Sequence, residues 1–302
     1  MEALLSTCRN AEPNPVLREP SEPQFILKLS CDAAPGIVAA VTSALASQGA
    51  NLVETAQFWD RQSDRFFLRV AFLAEDGDET RILDALAPIK VQFDMDLNLR
   101  HTARKPRLLI MVSRFDHAML HLLYQVRVGW LDAEVVAIVS NHPDARRIAE
   151  HEGLPFYHLP VTRETKAEAE AELLKLVEET DADLVVLARY MQVLSDELSR
   201  ALSGRVINIH HSFLPSFKGA KPYHQAHERG VKLIGATAHY VTADLDEGPI
   251  IEQEAERVAH SMTPDDLVAV GRDIEARVLA RAVKMHLEGR VMLSGQRTLV
   301  FT

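Results

Sequence analysis

The sequence predicts an α/β protein of two domains, a ferredoxin-like βαββαβ unit followed by a Rossmann-like unit with a mostly parallel, doubly wound sheet. Three observations predict this division. Residues 24–100 carry strand and helix patterns in the order βαββαβ, residues 101–106 form a basic linker ending in proline, and residues 107–302 repeat strand–helix pairs. Repeated pairs favour a parallel sheet, because each crossover helix packs on a sheet face. A length of 302 residues also suits two domains.

Residues 1–23 are expected to be a flexible leader, because four prolines stand there among polar residues. Neither a signal peptide nor an apolar run of the ~18 residues that span a membrane is predicted. The two cysteines, Cys8 and Cys31, do not form a disulfide framework, so the expected location is the cytoplasm. A net charge of −10 argues against a nucleic-acid partner, which needs a basic surface.

The elements of the first domain follow from local patterns. Apolar residues at helical spacing after Pro35 predict a helix that ends before Gly49. A polar turn at residues 60–64 separates two strand patterns, and strict alternation over residues 91–99 predicts a half-buried last strand. In order, we expect strand 25–30, helix 35–48, strand 51–59, strand 65–73, helix 79–86 and strand 91–99.

The second domain alternates short apolar strands with amphipathic helices. Thr263, followed by a proline, is a typical N-cap for a long last helix. The predicted strands and helices are 108–113, 118–128, 134–139, 144–151, 156–159, 166–179, 184–188, 205–209 and 263–288, with a terminal hairpin over 290–301.

A polar cluster is predicted at the end of strand 205–209. Side chains alternate along a strand, so Asn208 and His210 point to the same face, and ligands bind at the carboxyl ends of such strands. Asp246 follows in an acidic loop closed by a Gly-Pro pair. An amide and an imidazole can stabilise an oxyanion, and the carboxylate can move protons to or from an attacking group. In the alternative interpretation, Asn208 caps the loop and His210 is a satisfied strand-end histidine.

Two motifs around these residues resemble the folate-dependent formyltransferase family. Asn208 to Gly219 reads Asn-Ile-His-x-Ser-x-Leu-Pro-x-Phe-x-Gly, and His239 to Ile250 reads His-x-Val-x-x-x-x-Asp-x-Gly-Pro-Ile. The resemblance fills most of residues 107–290. It implies that the catalytic residues are Asn208, His210 and Asp246, and that the supporting residues are His239, Ser212 and Gly219.

The same resemblance implies a folate-binding slot. The family holds its pterin by the segment after the fourth strand of this domain and by the loop before the catalytic carboxylate. The implied contacts are Arg189, Tyr190, Met191, Gln192, Val193, Leu194, Ala243, Asp244 and Leu245. Apolar residues with a few polar groups are typical of such a slot. Without the resemblance, the first segment reads as core at a strand-to-helix junction.

The first domain resembles the ACT family of small-molecule sensing domains. The matching residues are Asp32, Gly36, Ile37, Val38, Gly49, Asn51, Gln57, Phe66 and Phe67. The resemblance implies edge-to-edge pairing into a homo-oligomer and an amino-acid effector, for which Asp32, Gly36 and Ile37 are the candidate contacts. The alternative is a module that only dimerises.

The turn that opens the second domain bears on the acceptor of the formyl group. A phosphate cradle needs glycines at a helix N-terminus, yet no glycine occurs from Ser113 to Val128. The family's purine-synthesis transformylase has a Gly-rich loop at this point. The resemblance therefore implies hydrolysis of 10-formyltetrahydrofolate to formate and tetrahydrofolate, which supplies formate for purine synthesis and balances the one-carbon folate pool. Formyl transfer to an amine, such as an amino sugar, and a catalytically silent folate or amino-acid sensor are the alternatives.

The 13 histidines make a zinc hydrolase a rival interpretation. His224 and His227 could share one helix face. However, the sequence has no His-Glu-x-x-His motif and no cysteine pair near these histidines. We therefore expect neither a metal nor a bound cofactor, with folate acting as the substrate.

Overall fold

A computed structural model describes residues 24–74, 78–212 and 222–302 of the chain. The predicted leader and Gly219 lie outside these described residues. The described chain divides between Ala103 and Arg104 into two compact units. Among the described helices, none combines the length and the apolar character needed to cross a lipid bilayer.

The N-terminal unit has the predicted ferredoxin-like fold. Its elements are β1 (Phe25–Asp32), α1 (Ile37–Ser47), β2 (Asn51–Asp60), β3 (Arg65–Leu73), α2 (Glu79–Gln92) and β4 (Asp96–His101). The sheet order is β2-β3-β1-β4, and every neighbouring pair is antiparallel. Alternate residues of β1 pack against the two helices, because Phe25, Leu27 and Leu29 share a core with Val41 of α1 and Ile82 of α2.

The last strand of this unit begins later than the alternation predicted. Helix α2 continues to Gln92, so Val91 is a helical residue with 82% of its surface exposed rather than the first residue of a strand. Asp94 then adopts a left-handed backbone with φ 49°, which reverses the chain before β4. The prediction was wrong over residues 91–95, because a helix end followed by a tight turn shows the same short apolar alternation as a strand.

The C-terminal unit alternates strands and helices over most of its length. Its elements are β5 (Arg107–Val112), α3 (His117–Arg127), β6 (Glu134–Ser140), α4 (Arg146–His151), β7 (Phe156–His158), α5 (Lys166–Glu179), β8 (Leu184–Leu187), α6 (Asp196–Ala201), β9 (Val206–His210), α7 (Pro222–Glu228), β10 (Leu233–Tyr240), β11 (Ile250–Arg257), α8 (Pro264–Leu287), β12 (Val291–Ser294) and β13 (Arg297–Val300).

Seven of these strands form one sheet in the order β11-β10-β9-β8-β5-β6-β7. The strands from β9 to β7 pair in parallel, whereas β10 and β11 are antiparallel to their neighbours. The chain moves outward from β5 in both directions, so β5 and β8 flank a topological switch point of the kind where ligands bind. The register sets Leu187 of β8 opposite both Met111 of β5 and Asn208 of β9. The carboxyl ends of these three strands therefore lie side by side.

Both faces of the central strands are buried, which explains their continuous apolar runs. Ile110 of β5 belongs to a core shared with α3 and α8, whereas the adjacent Met111 belongs to a core shared with α5 and α6. The predicted cap of the long last helix is confirmed, because the Thr263 side chain accepts a hydrogen bond from the Asp266 backbone in a reciprocal capping box.

Candidate active site

The structure brings the three predicted catalytic side chains together at the end of β9. His210 is the last residue of the strand, and its Nδ1 lies 3.2 Å from Oδ2 of Asp246 in the loop between β10 and β11. Asn208 precedes His210 by two residues and lies opposite His239 of β10. His239 Nε2 is 3.2 Å from Asn208 Nδ2 and 3.6 Å from Asp246 Oδ1. An amide, two imidazoles and a carboxylate thus form one connected cluster.

His239 fixes the orientation of the Asn208 amide. The His239 ring is 2% exposed, and its Nδ1 lies 2.9 Å from the Tyr240 carbonyl oxygen, which can only accept. Nδ1 therefore carries the proton, and Nε2 of the neutral ring accepts a hydrogen bond from the Asn208 nitrogen. The second N–H of that nitrogen stays available for an oxyanion. The supporting role of His239 stays a prediction, which this geometry favours.

The backbone of Asp246 is held in an unusual conformation. Its φ is 57°, in the left-handed region that only a few per cent of non-glycine residues occupy. The closing Gly248 has no space for a side chain, because a Cβ there would lie 1.8 Å from the Tyr240 carbonyl oxygen. The Tyr240 N–H donates to the Pro249 carbonyl oxygen at 2.9 Å, which ties the two ends of the loop together. Strained residues of this kind cluster at functional sites.

The electrostatics of the cluster keep Asp246 ionised. The hydrogen bond from His210 holds the pKa of the carboxyl well below its usual range, against the opposing effect of burial. Asp246 therefore carries its negative charge throughout the physiological pH range. The carboxylate can hold a proton only transiently. This behaviour suits a group that orients a reactant and passes its proton on.

A cleft of about 390 Å³, partly open to solvent, adjoins the cluster. Asn208, His239 and Asp246 contribute to its wall, together with Leu187, Gln192, Val193, Leu194, Val241, Thr242, Ala243, Asp244 and Leu245. Six of the nine expected folate contacts therefore line one cleft with two of the predicted catalytic residues, Asn208 and Asp246. Its mixture of apolar side chains and a few polar groups is typical of a small-molecule site.

The other three expected folate contacts do not line this cleft. Tyr190 is 5% exposed and packs in the core beneath the cleft, while Met191 is 55% exposed. The Arg189 side chain is 11% exposed, and its Nε lies 3.3 Å from Glu275 of α8. Both Arg189 and Met191 have positive φ angles, of 65° and 60°, so the chain turns sharply after β8. A folate contact by any of the three stays a prediction.

The remaining predicted site residues occupy varied environments. Ser212 is 8% exposed, and its carbonyl oxygen accepts a hydrogen bond from Thr237 at 3.0 Å. Within the N-terminal unit, Asp32 pairs with Arg65 at 3.0 Å, and Ile37 is buried at 2% exposure. Ile37 could therefore offer an effector only its main chain. In the part of the chain that the structure describes, no three His, Cys, Asp or Glu side chains are grouped so as to hold a metal.

A second polar cluster went unrecognised in the sequence. Glu275 lies in the middle of α8 and is 1% exposed, yet its carboxylate has three partners. Tyr223 of α7 donates to Oε1 at 2.6 Å, and His117 Nε2 and Arg189 Nε lie 2.8 and 3.3 Å from Oε2. The available signal was an acidic residue at a core-facing position of a helix, because buried glutamates are rare unless paired.

His211 lies between the two clusters. Its ring stacks on that of His210, with centroids 4.9 Å apart. Burial first, and then the positive charges of Arg189 and His210, lower the pKa of His211 to about 4. His211 is therefore neutral at physiological pH, and its uncharged ring packs against that of His210.

Comparison with known proteins identifies the family. Residues 106–283 match the family model described as formyl transferase. The formyltetrahydrofolate deformylase of Corynebacterium sp. strain P-1 is 52% identical over 281 residues, which are 92% of this chain and 98% of that protein. The chain belongs to the formyltetrahydrofolate deformylase family. This finding accounts for the combination of the βαββαβ unit with the seven-stranded sheet, since the alignment spans both.

Solved structures agree with this assignment. The crystal structure of formyltetrahydrofolate deformylase from Burkholderia mallei is 54% identical, has a TM-score of 0.90, and covers 93% of this chain and 100% of its own. Glycinamide ribonucleotide transformylase 1 from Symbiobacterium toebii is 30% identical with a TM-score of 0.62. It covers 98% of its own length but 68% of this chain. The predicted formyltransferase fold is thus confirmed.

Proposed function

We propose that the protein hydrolyses 10-formyltetrahydrofolate to formate and tetrahydrofolate. The observation that carries the proposal is the 3.2 Å contact between His210 and Asp246, in a cluster that opens onto the cleft predicted to hold folate. Relatives 38–52% identical over most of the chain bear the name formyltetrahydrofolate deformylase, which supports a hydrolase.

In the proposed mechanism, Asp246 orients a water molecule and accepts its proton as the oxygen attacks the formyl carbon. His210, in its imidazolium form, donates a hydrogen bond from Nδ1–H to Asp246 and keeps that proton. Its Nε2–H then faces the substrate and donates a hydrogen bond to the developing oxyanion. The free N–H of Asn208 supplies the second donor. When the C–N10 bond breaks, the proton taken from water passes to N10, and the formic acid formed loses its remaining proton to solvent. The products are tetrahydrofolate and formate.

The direct test is to incubate the purified protein with 10-formyltetrahydrofolate and no acceptor, and to measure formate and tetrahydrofolate. Stoichiometric release of both is expected. The matched control is Asp246→Asn, which keeps the side-chain shape but removes the base. Release that requires an added amine would indicate a transferase, and saturable binding without turnover would indicate a sensor. Either result would overturn the proposed hydrolysis.

We also propose that the released formate feeds purine synthesis and that hydrolysis balances the one-carbon folate pool. The support is chemical, since the reaction returns tetrahydrofolate and yields a one-carbon acid. Cells that lack the protein should need added formate or a purine for growth under conditions where no other formate source operates. Growth without either supplement under those conditions would contradict this role.

A further inference from the structure

The two faces of the sheet carry different features near His210: a cleft on one face and the Glu275 cluster on the other. The cleft belongs to the face of α5 and α6, because its residues Leu187, Leu194 and Val241 pack with that core. The Glu275 cluster lies on the opposite face and is built on α3 and α8. The Glu275 cluster and the predicted folate cleft therefore lie on opposite sides of the strand ends that carry Asn208 and His210.

The absence of a side chain at Gly271 makes room for the Tyr223 ring. Gly271 lies one turn before Glu275 on α8, and a Cβ there would lie 2.1 Å from Cζ of Tyr223. Glycine within a helix costs about 1 kcal/mol relative to alanine, so its position inside α8 indicates a packing requirement. The aromatic ring fills the groove above Gly271, and its hydroxyl reaches Glu275 at 2.6 Å. The tyrosine thus closes the cluster from the side of α7.

Arg189 connects the Glu275 cluster to the strands that carry the catalytic residues. It follows β8, whose end lies beside Asn208 of β9, and its charge acts on His211. The guanidinium group lies 5.9 Å from the ring centroid of Phe115, whose own position lies in the glycine-free turn after β5. Its Nε and Nη1 are buried and donate no hydrogen bond to any described residue. Among the described residues, a bulky cation is therefore buried at this point with Nε and Nη1 lacking a hydrogen-bond acceptor.

We propose that Arg189, held by Glu275 and covered by Phe115, is a specificity-determining residue that excludes amine acceptors. The inference rests on the proposed function. Under this proposal, the Arg189 side chain fills space that an amine acceptor would need, while the smaller water molecule still reaches the formyl carbon. The Symbiobacterium toebii relative shares the fold at 30% identity and by its name transfers to a glycinamide ribonucleotide. The same catalytic groups can serve water or an amine as the acceptor. Whether an amine can reach the formyl carbon therefore decides between transfer and hydrolysis.

The two reactions differ only in the nucleophile. In hydrolysis, a C–O bond forms, the C–N10 bond breaks, and N10 gains a proton from water. In transfer, a C–N bond to the amine forms, the C–N10 bond breaks, and N10 gains the proton that the amine loses. The products are then tetrahydrofolate and an N-formyl amine. The ratio of N-formyl amine to formate therefore measures acceptor access directly, independent of the overall rate.

The test compares Arg189→Ala, which opens space, with Arg189→Met, which removes the same charge but keeps most of the volume. Each full-length protein receives 10-formyltetrahydrofolate and glycinamide, and N-formylglycinamide and formate are quantified by mass spectrometry. We expect the ratio in Arg189→Ala to rise roughly tenfold or more over the wild-type ratio, a typical effect of pocket space on selectivity. Arg189→Met should keep the wild-type ratio.

Two further results decide the inference. Phe115→Ala alters an exposed side chain, so it should fold even if Arg189→Ala does not, and it should raise the ratio by a smaller factor. An unchanged ratio in a variant that still releases formate would overturn the inference, as would an equal rise in Arg189→Ala and Arg189→Met. Failure of the proposed function is distinct, because the wild-type protein would then release no formate without an amine.

Discussion

Replacing Asp246 with asparagine should abolish most turnover while leaving the loop intact. The carboxylate contributes in two ways, as the group that takes the water proton and as the partner of His210 at 3.2 Å. Losing a general base costs roughly 100- to 10,000-fold, and losing an oriented oxyanion donor costs roughly 100- to 1000-fold. Groups that act as a unit are not additive. We therefore expect a fall in kcat of roughly 1000- to 10,000-fold, or about 4 to 5.5 kcal/mol.

The backbone of residue 246 makes asparagine the right substitution. Asparagine tolerates positive φ values, so it can keep the φ of 57° found for Asp246. Asp246→Ala removes the same base but strains the loop, at a cost of roughly 1–3 kcal/mol. Both variants should lose turnover, and only the alanine variant should also lose stability through its backbone. Thermal unfolding of the two proteins near pH 7 separates the effects.

The assay follows formate release at saturating substrate, with folate affinity measured separately by equilibrium binding. Folate affinity should change little in Asp246→Asn, since the cleft is lined mainly by other residues. Turnover within a few-fold of the wild-type rate would refute the role given to the carboxylate. A parallel loss of folate binding would instead assign Asp246 to substrate binding.

Four further predictions test separate parts of the account. Asn208→Ala should lower kcat roughly 100- to 1000-fold with little change in KM, measured by steady-state kinetics, and a change confined to KM would contradict an oxyanion role. Dialysis against a chelator should leave turnover intact, whereas a loss that added zinc restores would move the chemistry to a metal. His211 has a pKa lowered to about 4, so the unfolded chain binds more protons than the folded chain between the ordinary histidine pKa and that value. The free energy of unfolding should therefore fall as the pH is lowered through this window, and melting curves of His211→Asn should show a shallower fall. Residues 104–302 expressed alone should lose the oligomeric state of the intact protein and any response to amino acids, which light scattering and turnover assays would measure, and a truncated protein that keeps the full assembly would contradict a role for the ACT-like unit.

Local sequence patterns predicted the parts of the fold and site that depend on neighbours along the chain. The alternation that places Asn208 and His210 together is a property of any strand, and Asp246 followed from the resemblance of one short motif. The same holds for the capping box at Thr263, since its partner is three residues away. These features need no knowledge of how distant segments pack.

The features that went unpredicted depend on distant contacts. His117 and Glu275 are 158 residues apart in sequence, and only the sheet order brings α3 and α8 together. A single sequence gives no direct measure of such a pairing. The pairing of Arg189 with Glu275 went unpredicted for the same reason, because the segment of Arg189 continues into the cleft at Gln192 while the Arg189 side chain turns to the opposite face.

The hairpin that carries Asp246 makes the active site sensitive to chain length. The pairing of β10 with β11 shifts register between Ala238 and His239, so one irregularity already adjusts where the loop returns. A further one-residue insertion in β10 or β11 would displace the loop by about 3.4 Å along the strand, and carry Asp246 away from His210. Such a change would keep every catalytic side chain and most of the core. The number of residues in this hairpin is therefore more restricted than their identity. Insertions and deletions should be rarer here than substitutions.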